Sequence, residues 1–136
     1  MRFVILEHHD RVFGTHIDFM VEQPGSEHLR TWRMAKAPNG TAQPAEEIAP
    51  HRHAYLTYQG PVYPDRGWVR RIDAGTFDTI VNRPGLLRLR WRGTKDAGIL
   101  ELEGDSVDES ALWQCRQTIR WSKTLPDPSY SSLVDR

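Results

Sequence analysis

The sequence predicts a mainly β fold with antiparallel strands, arranged as a barrel or a sandwich. Two observations carry that expectation. Short segments alternate apolar and polar residues with a period of two, the spacing at which a strand turns one face to a core. Glycine and proline punctuate the chain between those segments at short, regular intervals.

"RFVIL" opens the chain as a short apolar segment rich in β-formers, suited to a buried strand. "HIDFMVE" follows, with Ile17, Phe19 and Val21 on one face and His16, Asp18, Met20 and Glu22 on the other. "QPGSE" has turn chemistry, and "HLRTWRM" returns as a third strand. "AKAPNGTAQPAEEIAP", rich in Pro, Ala and Gly, reads as a long surface excursion. "HRHAYLTY" resumes the alternation and "QGPVYPDRG" turns the chain again. "WVRRIDAGTFDTIV", "LLRLRWRG" and "GILELEG" supply further strands. "DSVDESALWQCRQTIRW" has two readings: a short helix capped between Asp105 and Ser110, or a last strand through "WQCRQTIR". The expected organisation is one domain over residues 1–122 and a loosely held tail over 123–136.

The 136 residues suffice for one domain with its own core and no disulfide. Eighteen Lys and Arg balance eighteen Asp and Glu, which excludes nucleic-acid binding through net charge alone. A site that grips a few phosphates is still allowed. Cys115, the single cysteine, permits no internal disulfide, which fits a reducing cytosol, and its expected role is a small buried apolar side chain. No run approaches the ~20 apolar residues of a membrane span, and no secretory leader is apparent. A soluble, cytoplasmic protein with no membrane partner is expected.

His16 and Asp18 stand two apart on one strand face, about 6–7 Å along the backbone, which suits two ligands converging on one cation. A third ligand can come from "HHD", where His8 and His9 end the first strand. Two imidazoles and a carboxylate, with positions left open, make a site for Mn, Zn or Fe. In "HRHAYLTY" the alternation places His51, His53 and Tyr55 together, with Arg52 turned away. A His and a Tyr so placed can both hydrogen-bond one oxyanion. In "LLRLRWRG", Arg88, Arg90 and Arg92 share a face and could track a phosphate backbone, or simply guard an edge strand.

Together these motifs resemble the 3'-phosphoesterase domain of bacterial DNA ligase D. The likeness runs through "RFVILEHHD", "HIDFMVE", "LRTWRMAKAPN", "HRHAYLTYQGPV", "DAGTFD" and "LLRLRWRGTKDAGILELEG", over residues 2–104. It is most specific at His-x-Asp-Phe and at His-x-x-x-Tyr before "YQG". The resemblance implies a small antiparallel β-barrel with long loops and at most a short helix, holding a divalent metal: Mn first, with Zn or Co as alternatives. It implies removal of 3'-phosphates or 3'-ribonucleotides from DNA ends at a primer–template, leaving a 3'-OH for repair. A separate DNA ligase or end-joining protein would be the partner, since no ligase Lys-x-Asp-Gly motif is present. Carried over, His16 and Asp18 bind the metal with His9, His8 being the runner-up. His51 and Tyr55 match the catalytic pair on the phosphate, and Arg52 is a helper. Two departures stand out: Met20 replaces an Arg, and "QPAEE" stands where an Arg would precede His51. An Arg from the 66–92 region is the expected replacement. The alternative function is an inactive metal- or DNA-end-binding adaptor in end joining.

Overall fold

The computed structural model describes residues 1–94, 96–104 and 112–122. Nine strands follow one another: β1 (Arg2–Asp10), β2 (Gly14–Val21), β3 (His28–Met34), β4 (Gln43–Arg52), β5 (Gly60–Pro61), β6 (Trp68–Arg83), β7 (Leu86–Arg92), β8 (Asp96–Gly104) and β9 (Leu112–Ser122). One 3₁₀ turn, His53–Leu56, separates β4 from β5. All pairings are antiparallel.

The expectation of a small β-barrel is corrected. The strands form one nine-stranded sheet in the order β1-β2-β3-β4-β9-β8-β7-β6-β5, with an additional β1–β6 pairing, rather than a closed barrel. The reason lies in β6, which divides its partners along its length. Trp68–Thr76 pairs with β1, whereas Thr76–Arg83 pairs with β7. Strand signals in a sequence count strands; they do not say which half of a long strand meets which neighbour. The excursion expected after Met34 is likewise corrected, since β4 takes up its second half and pairs with both β3 and β9. Pro44 and Pro50 lie inside that strand and hid it, because proline usually marks a break in a ladder. Over 112–122 the last segment is a strand; the helix expected at 105–110 and the tail from 123 lie outside the described residues.

β1 and β2 close as a hairpin because Asp10 Oδ1 accepts the Val12 and Phe13 amides, and Gly14 supplies the positive φ of 78°. The alternation read for β2 holds. Ile17, Phe19 and Val21 join Phe3, Ile5 and Trp32 in the main core. On the opposite face Met20 packs with Val4, Leu6, Leu29, Leu56 and Val69 in a second, smaller cluster. Both faces of the hairpin are therefore covered, and polar side chains on the second face lie at the border of an apolar cluster.

Cys115 belongs to the main core, and burial pushes its thiol up to about 12. A thiol reagent at pH 8 is expected to leave it untouched in the native protein and to modify it fully in denaturant; rapid native labelling would contradict this packing.

Candidate metal centre

The hairpin register builds the site. His8 lies directly opposite His16, and the two rings meet edge to face at 4.8 Å between centroids. Asp18, two residues beyond His16, shares that face by strand alternation. One donor atom from each of His8, His16 and Asp18 lies within 4.8 Å of the others. Closing to metal–ligand bonds of about 2.0–2.2 Å asks each side chain for roughly half an ångström. All three are buried, with Asp18 only 1 % exposed.

Hydrogen bonding orients the donors. His8 Nε2–H donates to the Arg66 carbonyl at 2.7 Å, which leaves the Nδ1 lone pair facing Asp18 Oδ2, 3.8 Å away. This is the carbonyl-to-imidazole support that metal-binding histidines usually carry. His16 Nε2 lies 3.5 Å from Asp18 Oδ1, and neither atom has a hydrogen-bond partner. Burying such groups unpaired costs about 1–3 kcal/mol each. A cation between them satisfies both atoms at once. The residues present thus fit a divalent metal ion, and their geometry singles out none of Mn, Zn or Co.

Arg33 lies directly across β3 from Asp18, with Nε 3.8 Å from Oδ1. Sequence reading missed it. The signal was there in "HLRTWRM", whose alternation puts Arg33 beside whatever residue the β2–β3 register places opposite.

Beside the cluster opens a pocket of about 230 Å³, lined by His8, Asp18, His51, Arg52, Tyr55 and Arg66 among others. His51 and Tyr55 line the same pocket as His8 and Asp18, and their ring centroids are 5.7 Å apart. The route differs from the expected strand alternation. β4 stops at Arg52, and the 3₁₀ turn swings Tyr55 back while sending His53 to Glu22, 2.9 Å away. The same turn brings Arg52 to the pocket wall rather than away from it, with its guanidinium 6.0 Å from the Tyr55 ring. His51 Nδ1–H donates to the Ala49 carbonyl at 3.0 Å, so Nε2 is the nitrogen left for a ligand. Desolvation lowers the His51 pKa from its ordinary 6.5, against the opposing pull of Asp18, and favours the neutral ring.

Arg66 lines the pocket, and its carbonyl meets His8 Nε2 at 2.7 Å. It falls in the region where a replacement was expected, and neither its side chain nor that of Arg52 forms an ion pair among the described residues.

One ligand assignment is corrected. His9 is not with the other ligands: its ring stacks on Trp68 at 3.9 Å and its nitrogens meet Glu7 Oε1 and Thr15 Oγ1. The hairpin is centred on Val12, which pairs His9 with Thr15 and gives His8 to His16. A shift of one residue in register reverses the face of every side chain. Arg88 and Arg90 do not line this pocket; they are tied to Glu101 at 3.0 Å and Asp78 at 2.8 Å across neighbouring strands, opposite-charge pairs of the kind that support a sheet face.

Fold and site define a mainly β protein with a buried His–His–Asp cluster able to hold a metal ion. No protein-family model and no curated protein matches the chain, so the expected links to DNA ligase D and to end joining have no support there. Among the described residues no helix is long and apolar enough to cross a membrane.

Proposed function

We propose that the protein is a metal-dependent phosphoesterase acting on the 3' ends of DNA. One observation carries the reading: His8 and Asp18 of the buried His–His–Asp cluster line one small pocket together with Arg52 and Arg66. A candidate cation site beside a cavity of about 230 Å³ that Arg52 and Arg66 help to line suits a phosphoryl group better than a neutral ligand. The likeness of "HIDF" and "HRHAY" to 3'-phosphoesterases adds the DNA 3' end as substrate class.

A bound divalent cation would supply Lewis acidity toward the phosphoryl oxygens, held by His8 Nδ1, His16 Nε2 and Asp18. Arg52 and Arg66 neutralise the remaining oxygens and fix the phosphorus in place. Neutral His51, with Nε2 free, takes a proton from the attacking water as the new P–O bond forms. The bond from phosphorus to the 3' oxygen breaks, and the proton ends on that oxygen to leave a 3'-OH. Tyr55 O–H donates to a phosphoryl oxygen as charge builds.

A 3'-phosphorylated primer–template should release inorganic phosphate in the presence of Mn²⁺, and the 5'-phosphorylated control should not. End binding without release under Mn²⁺, Zn²⁺ or Co²⁺ would overturn the enzymatic reading in favour of an adaptor.

A further inference from the structure

Adjoining the metal pocket is a larger, mostly apolar groove of about 950 Å³, lined by His9, Tyr63, Gly67 and Trp68 among others. We propose that it is a base-stacking subsite, which holds the unpaired terminal bases of the strand whose 3' phosphoryl group occupies the pocket. The inference rests on the phosphoesterase reading and adds the form of substrate: a single-stranded or frayed 3' end.

Three observations point to a nucleobase. First, the groove presents aromatic faces to water. Trp68 remains 44 % exposed after stacking on His9, and Tyr63 is 82 % exposed. Large exposed apolar faces grouped in one concavity mark a binding surface. Second, the platform is rigid. The His9 and Trp68 rings are 11° from parallel, and both His9 ring nitrogens are held, by Glu7 and by Thr15. A planar base added to the open side of that stack loses little in ordering it, and base–aromatic stacking tolerates any sequence.

Third, the groove is continuous with the anion pocket, since Val62 and Tyr63 line both. Arg52 and Arg66 on the pocket side meet the phosphates, while the apolar side meets the bases. That polarity matches a nucleotide strand, in which charge and aromatic surface alternate along one backbone. A base within a duplex has its faces covered by neighbours, so the occupant is unpaired. This gives a role to His9, whose ring has no part in the metal cluster.

The test reads binding without cleavage. With EDTA present, a 5'-labelled oligothymidylate ending in a 3'-phosphate is titrated and followed by fluorescence anisotropy. A second oligonucleotide has its last two nucleotides replaced by abasic tetrahydrofuran. Wild type should bind the base-bearing strand about tenfold to a hundredfold more tightly. Trp68→Ala should reduce that ratio to within about twofold, and Trp68→Phe should keep most of it. Tyr63→Ala, at an exposed position where folding is not at stake, should lower the ratio as well. A blunt duplex with the same 3'-phosphate should bind about tenfold more weakly than the single strand. Equal affinity of wild type for the two oligonucleotides, tighter binding of the blunt duplex, or no binding of either overturns the subsite. Because phosphate release is not measured, its absence elsewhere leaves this result standing, and equal affinities here leave the phosphoesterase reading standing.

Discussion

His8→Ala is expected to abolish tight metal binding, whereas His9→Ala keeps the affinity for Mn²⁺ or Zn²⁺ within about threefold of wild type. The two residues are neighbours in sequence, yet the strand sends them to opposite faces. His8 reaches the cluster with Nδ1; His9 stacks on Trp68 outside it. Losing one of three ligands should exceed the roughly 10–100-fold penalty typical of an outer-shell partner. His16→Ala and Asp18→Ala should behave as His8→Ala does. Calorimetric titration reads the affinity, and thermal unfolding gives an independent check. Metal at about a hundred times its Kd stabilises the folded state by about 2.7 kcal/mol. For a domain of this size that is roughly 10 °C in Tm. The rise should vanish in all three ligand variants and persist in His9→Ala. The opposite pattern, with His9→Ala blind to metal and His8→Ala responsive, would refute the register on which the centre depends.

That register marks the boundary of what the sequence discloses. The face of β2 is legible because alternation is a local property, so His16 and Asp18 could be paired from spacing alone. Choosing between His8 and His9 needs the centre of the hairpin, and that depends on Asp10 capping the Val12 and Phe13 amides. "HHDRVFGTH" does not state which residues form the turn, and an error of one exchanges the two histidines. The His51–Tyr55 pair was legible as residue types, but its geometry comes from a 3₁₀ turn that alternation could not foresee. The same turn explains why Arg52 faces the pocket against expectation. Arg66 sits in a turn and reaches the pocket only because β6 returns alongside β1, a contact between segments some sixty residues apart. For Arg88 and Arg90 the alternation could not tell a phosphate track from cross-strand ion pairs, and the pairs with Glu101 and Asp78 emerge only from the strand register.

Gly67→Ala, far from any charge exchange, should damage both stability and the metal centre. Gly67 has φ of 77°, and a Cβ there would lie 1.7 Å from the His9 carbonyl oxygen and 3.1 Å from Asp10 Cα. Those atoms are backbone and cannot swing aside. The left-handed conformation costs an L-residue about 1–2 kcal/mol. The forced separation adds about 1–3 kcal/mol by analogy with overpacked cores. The strand would have to withdraw from the end of β1, and Arg66, one residue earlier, would move with it. Its carbonyl holds His8 Nε2 at 2.7 Å and so fixes which imidazole nitrogen faces Asp18. With that bond stretched, His8 can rotate or change tautomer, and metal affinity should fall about 10–100-fold. Gly40→Ala is the matched control: nothing lies within 4 Å of the added methyl and its φ is unstrained, so stability should stay within about 0.5 kcal/mol. If Gly67→Ala lowers Tm but leaves metal affinity intact, the Arg66 carbonyl does not orient His8. If it changes neither, the close approach of β6 to β1 does not build the site, and the reason for a glycine at this position must be sought elsewhere.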